Sequence, residues 1–146
     1  MSKDIQAPAP HPNPLPEGER GQSPAWSWLG LSLVDTGDGT AVVEMTPTGE
    51  MANHSGVVHG GIISALADSA MGRSLRTLKP GVARAMSFDL KLSFINAAKI
   101  GETLRATGHV IHAGRRTVVA ECRVTGKDGR LVATASATFA VTREKE

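Results

Sequence analysis

Tyrosine is absent from this 146-residue chain, and aromatic residues make up only 3% of it. A chain so poor in flat side chains offers no stacking platform for unpaired bases. The formal charge is only +2, and acids and bases are interspersed without a like-charge block, so neither nucleic acid nor an anionic membrane is an expected partner. The single cysteine, Cys122, excludes an internal disulfide and a multi-cysteine metal site. Its apolar position in a strand pattern reads as a small buried hydrophobe rather than a nucleophile. No apolar run approaches the roughly 20 residues that span a bilayer. The chain opens into prolines rather than an apolar signal region, so a cytoplasmic protein is the expectation.

What is present is uneven. Residues 1–24 hold six of the eight prolines, from Pro8 to Pro24, among small and polar neighbours. Such a segment cannot bury enough surface to offset its ordering entropy, and it reads as a disordered or polyproline-like tail. Residues 25–146 then form one domain, long enough for a single core. Trp26 and Trp28 offer anchors at its start. Leu31 to Val34 begins a strand, Asp38-Gly39 marks a turn, and Ala41, Val43 and Met45 alternate along a second strand.

The stretch that organises the rest runs from Asn53 to Leu78. Gly60-Gly61 precedes an apolar segment, Ile62 to Leu78, that reads as a helix, stopped by Lys79-Pro80-Gly81. A helix apolar nearly all round belongs in a core. Beyond it lie four strand patterns: Met86, Phe88, Leu90, Leu92 and Phe94 on one face, with Ser87 opposite; then Leu104 to Val110; Val118 to Val124; and Leu131 to Val141. A curved antiparallel sheet wrapped around one long central helix buries every apolar face, which makes the domain α+β.

Two features carry chemistry. Amides at a helix start point outward and favour negative charge, so Gly60 and Gly61 read either as an oxyanion hole or as a turn that permits tight packing. Asp68 is the lone acid of the helix. It is either a functional carboxylate or a structural one held by Ser64 or Arg73. Gly60 and Asp68 are eight residues apart, about 12 Å along one helix axis. Both groups act on one carbonyl only if the helix start of one subunit faces Asp68 of a second, at a two-fold interface. His59 beside the glycines fixes the loop or bonds substrate. His54 and His59 lack the spacing and companions of a zinc site, so no metal is expected.

The pattern Asn53-x-x-Gly56-x-x-His59-Gly60-Gly61, followed by Asp68, resembles the hotdog-fold thioesterases of the phenylacetic-acid-degradation (PaaI-like) type. The resemblance spans about residues 30–142, including Gly101-Glu102, the Gly114-Arg115-Arg116 turn and Asp128-Gly129-Arg130. It implies hydrolysis of an acyl-CoA, with an aromatic or medium-chain acyl group, and no cofactor. By the same resemblance Asp68 is nucleophile or general base, the Gly60 amide polarises the carbonyl beside His59, Asn53 orients substrate or water, and Ser87 stands near the acid. Gly61, Arg115 and Arg116 would contact substrate, the arginines at the CoA phosphates. The family is dimeric, often a dimer of dimers. Two other readings stay open: a hydratase or dehydratase of acyl thioesters, and a non-catalytic acyl-CoA-binding regulator.

Overall fold

The computed structural model describes residues 23–145; the proline-rich segment of 1–22 lies outside the described residues. Ser23 and Pro24, assigned from sequence to the tail, instead open a short helix, α1 (Pro24–Leu29). The Ser23 hydroxyl accepts the Trp26 N–H at 3.3 Å, Gly30 closes the other end at φ +67°, and buried Leu29 fastens α1 to the domain. Strands β1 (Ser32–Gly37) and β2 (Thr40–Met45) form a hairpin whose turn places Gly39 at φ +71°.

The long helix, α2 (Gly60–Leu75), starts two residues earlier and ends three residues sooner than the periodicity predicts. Its end is set by hydroxyls. The buried Ser74 bonds back to the Met71 carbonyl at 2.6 Å, and Thr77 bonds the Ser74 carbonyl at 2.8 Å. Thr77 also accepts the Gly39 N–H at 2.6 Å, pinning the helix end to the first hairpin.

Four strands follow: β3 (Val82–Phe94), β4 (Leu104–Ala113), β5 (Thr117–Thr125) and β6 (Leu131–Arg143). With the first two they make one antiparallel sheet in the order β1-β2-β4-β5-β6-β3. The predicted sheet around a helix is the observed architecture. Leu66, Met71 and Leu75 of α2 are fully enclosed against the inner face of the sheet. Each such side chain contributes roughly 1.5–3 kcal/mol. Ala and Gly on β4 and β6 let the helix settle close. No helix among the described residues is long and apolar enough to cross a membrane.

Bulges interrupt β1 at Val34, β4 at Ile111 and β6 at Val132, and β3 carries two, at Ala83 and Phe88, of which the second shapes the site. In β3, Ser87 pairs with Phe139 and Asp89 with Thr138, so Phe88 is an extra, unpaired residue. This bulge shifts the phase by one. Ala85 and Ser87 share the helix-side face with Leu90, Leu92 and Phe94, because their partners Val141, Phe139, Ala137, Ala135 and Ala133 are the buried residues of β6. The predicted apolar face is therefore corrected. Met86 turns outward and is 76% exposed, and Ser87 turns inward. β3 is also an edge strand, with Phe88, Leu90 and Phe94 exposed along it.

Candidate functional site

The site is built from the start of α2. His59 occupies the N-cap in an extended conformation, and its Nδ1 accepts the Gly61 N–H at 2.9 Å. The Ile62 and Ile63 N–H groups turn to the His59 carbonyl at 2.9 and 3.3 Å. Gly61 is thus satisfied internally, whereas the Gly60 N–H has no acceptor among the described residues. The helix dipole adds partial positive charge to that open donor.

Asn53 shapes the approach. Its Oδ1 accepts the Ser55 and Val57 N–H groups at 2.9 and 3.3 Å, and Gly56 takes φ +80° to complete the turn. The carboxamide oxygen is committed to the loop, which leaves the NH₂ facing outward. Asn53 and Gly60 line a cavity of about 280 Å³ together with Phe94, Ile95 and Asn96. The Phe94 ring lies over Gly60, where a Cβ would stand 3.1 Å from its Cζ.

Asp68 lies two turns further along. Its Oδ1 is buried and finds no hydrogen-bond partner among the described residues. Burial pushes the carboxyl above its ordinary range, and the Ser87 hydroxyl opposes that rise as a hydrogen-bond donor. The bulge at Phe88 is what turns Ser87 toward the acid. Ser64, a structural alternative for holding Asp68, bonds instead to the Gly60 carbonyl at 2.8 Å. Asp68 and Ser87 line a second cavity of about 390 Å³, walled by Gly72, Arg73, Phe139 and Trp26. The Arg73 guanidinium sits 4.8 Å from the centre of the Trp26 ring, a cation–π contact. Of the two tryptophans, Trp26 is thereby tied to the domain, while Trp28 is 69% exposed.

The structure brings Asp68 to Ser87, and Gly60 to His59 and Asn53. It does not bring the two groups together within one chain. The two cavities share no lining residue, and they open at different ends of β3, seven residues or about 23 Å apart. Arg115 and Arg116 are exposed in the β4–β5 turn and line neither cavity. Phe94 over Gly60 and Trp26 beside Asp68 have no local sequence signal, since both contacts join segments distant in the chain. Gly72, a glycine inside a helix, is the one readable mark of the second cavity.

Such a carboxylate and such an amide suit attack on a carbonyl, and comparison with known proteins agrees. Residues 55–133 match the family model of the thioesterase superfamily. The chain is 32% identical to the acyl-coenzyme A thioesterase PaaI of Escherichia coli (strain K12), over 72% of this chain and 73% of that protein. The solved structure of E. coli PaaI superposes with a TM-score of 0.78 at 26% identity, covering 88% of this chain and 89% of the other. A conserved protein of Pseudomonas aeruginosa superposes with the same TM-score of 0.78 at 34% identity, over 86% and 99% of the two chains. A hypothetical thioesterase protein of Streptococcus pneumoniae solved with coenzyme A gives 0.72 at 26% identity, over 80% and 88%. The chain belongs to the thioesterase superfamily, among its hotdog-fold acyl-CoA thioesterases of the PaaI type, and is a thioester hydrolase.

Proposed function

We propose that the protein hydrolyses the thioester of a small aromatic or medium-chain acyl-CoA at a site completed by two copies of the chain. The observation that carries this reading is the separation of Asp68 from the open Gly60 amide at opposite ends of one exposed edge strand. A two-fold axis crossing β3 at Lys91, the midpoint of the ladder once the bulged Phe88 is left out, sets Ser87 of one protomer opposite the partner's Phe94. It thereby unites each acid-bearing cavity with an amide-bearing one. Apolar residues exposed along β3 supply the seam.

In this site the Gly60 N–H donates to the thioester carbonyl oxygen, and more strongly to the oxyanion that forms. Asp68 supplies the electron pair. It acts either directly on the carbonyl carbon, giving an anhydride that water then cleaves, or through a water whose proton it takes. The C–S bond breaks and CoA leaves as its thiolate. Ser87 positions the acid by donating to it. His59 holds the helix start so that Gly60 stays open, and the Asn53 NH₂ orients substrate or water. Gly61 serves the site through its cap to His59. The two guanidinium groups of Arg115 and Arg116 are assigned to the CoA phosphates. Coenzyme A in the streptococcal relative supports the substrate class. A cytoplasmic homodimer that pairs again into a tetramer, working without a cofactor or metal, completes the reading. So does a proline-rich tail, residues 1–22, outside the hotdog domain.

The decisive experiment mixes two defective variants. Asp68→Asn removes the nucleophile or base. Gly60→Pro deletes the donor at a helix position that tolerates proline. Each variant alone is expected to lose at least about 100-fold in kcat. Refolded together at equal amounts, they form heterodimers in which one of the two sites is intact, restoring about a quarter of wild-type activity. No recovery, with heterodimers demonstrated, would refute a shared site. Capture of an Asp68 anhydride by hydroxylamine, or ¹⁸O from labelled water entering Asp68 in a single turnover when water attacks the Asp68 side of the anhydride, identifies the nucleophilic route; the general-base route gives neither.

A further inference from the structure

The cavity beside Asp68 carries information about the acyl group. One wall is the face of α2 made by Asp68, Gly72 and Arg73. Gly72 lies one turn beyond Asp68, inside the helix, where glycine is a poor choice for the backbone. Close packing does not account for it. A Cβ at Gly72 would have Phe139 Cε1 at 4.0 Å as its nearest neighbour, an ordinary contact. At Gly108, by contrast, a Cβ would collide with the α2 backbone at 2.7 Å. Gly108 is needed so that the helix and sheet can meet; Gly72 is not. The missing side chain at Gly72 enlarges the cavity next to the acid.

Trp26 forms another wall. Its ring is held by the Arg73 guanidinium, and its helix is capped at both ends and anchored by Leu29. Arg73 stands five residues past Asp68, about 7.5 Å along the axis. That is the length of one aromatic ring on a carbonyl, and shorter than an extended long-chain acyl group.

We propose that Gly72 and Trp26 set acyl specificity: the open space at Gly72 admits the ring or first carbons of the acyl group, and the Trp26 ring ends the chamber. Arg73 is a positioning residue that holds the Trp26 ring. This inference rests on Asp68 acting at the thioester carbonyl.

The test is a steady-state panel of acetyl-, hexanoyl-, phenylacetyl- and dodecanoyl-CoA, read by release of free thiol. Trp26→Ala is expected to raise kcat/KM for dodecanoyl-CoA relative to hexanoyl-CoA by about 10-fold or more. Gly72→Val is expected to lower kcat/KM for phenylacetyl-CoA relative to acetyl-CoA by about 10-fold, mainly through KM. Arg73→Gln should move the chain-length ratio in the direction of Trp26→Ala, by less. Thermal melts report folding. If Trp26→Ala does not fold, Trp26→Phe, whose ring reaches less far, gives the same trend in smaller measure. Ratios within two-fold of wild type in both Gly72→Val and the Trp26 variant would overturn the proposal. If wild type cleaves none of the thioesters, or Asp68→Asn keeps full turnover, the assignment of Asp68 fails and this inference falls with it. Unchanged ratios in an Asp68-dependent enzyme sink the chamber alone.

Discussion

Two glycines at the helix–sheet interface respond in opposite directions to the same substitution. Gly108, on β4, faces Cys122 of β5 and Ala41 of β2 in the ladder, directly beneath α2. A Cβ there stands 2.7 Å from the carbonyl carbon and oxygen of Ala70 and 2.9 Å from the Met71 nitrogen. These are backbone atoms and cannot rotate aside, so the helix must retreat from the sheet. Overpacking of this kind costs about 1–3 kcal/mol. At about 4 °C per kcal/mol for a domain of this size, Gly108→Ala lowers Tm by about 4–12 °C. Gly72→Ala meets only the Phe139 ring edge at 4.0 Å. It removes backbone freedom from the unfolded chain and stabilises by about 0.4–1 kcal/mol, a rise of roughly 2–4 °C. Differential scanning fluorimetry, confirmed by urea unfolding, measures both. Gly108→Ala melting at or above wild type would show that the helix does not lie this close to the sheet. Gly72→Ala melting well below it would show that packing, not an open chamber, demands that glycine.

Because burial holds the Asp68 carboxyl above its ordinary 3.8 and the proposed chemistry needs the carboxylate, kcat/KM is expected to rise with pH through a midpoint above that value. A profile already flat down to a pH of about 4 would remove Asp68 from the reaction. The same shift has a sign for stability. The fold favours the protonated acid, so its benefit is complete below 3.8 and is lost as pH rises through the folded value. Asp68→Asn should therefore be more stable than wild type in urea at neutral pH, with the two converging in acid. Glu102 behaves oppositely. The Lys99 N–H and the Arg130 guanidinium bond its carboxylate at 3.0 and 3.1 Å and hold its pKa below 4.5. That stability is present above 4.5 and is lost as pH falls through the folded value, so Glu102→Gln lowers stability at neutral pH and the gap narrows in acid. Leu90→Glu puts a carboxylate from each protomer on the apolar face of the proposed seam, opposite the partner's Leu92 and diagonal to its own copy. Sedimentation should then report monomers, with hydrolysis lost, whereas an intact active dimer would move the seam away from β3.

What could be read in the sequence, and what could not, follows the range of the interactions. The helix, its glycine start and its lone acid are local patterns, and period and composition suffice to find them. So are the apolar faces of β4 from Leu104 to Val110, of β5, and of β6 from Ala133 to Val141, where alternation holds; bulges at Ile111 and Val132 break it beyond, and Leu131, read with the apolar face, falls out of phase. β3 fails because the bulge at Phe88 arises from pairing with β6, and no residue in Met86 to Leu90 announces an extra position. The failure matters, since the phase shift turns Ser87 from the outer face to the acid. Gly101-Glu102 and Asp128-Gly129-Arg130, read as separate turns, prove to be one ion-paired cluster, with Arg130 bonding both Glu102 oxygens at 3.1 and 3.2 Å. The separation of Gly60 from Asp68 needs only the rise of a helix, so the reason for proposing a second subunit is legible in the sequence. The strand proposed as the seam is not, because that choice depends on sheet order. β3 follows α2 in the chain yet pairs with β6, the last strand, and that late pairing leaves its other edge free. An edge strand thirteen residues long, with Met86, Phe88, Leu90 and Phe94 exposed along it despite Arg84, Asp89 and Lys91, is a hazard that folds normally blunt by shortening the strand or placing proline in it. Its persistence beside two half-sites is best explained if pairing that edge is what completes the enzyme.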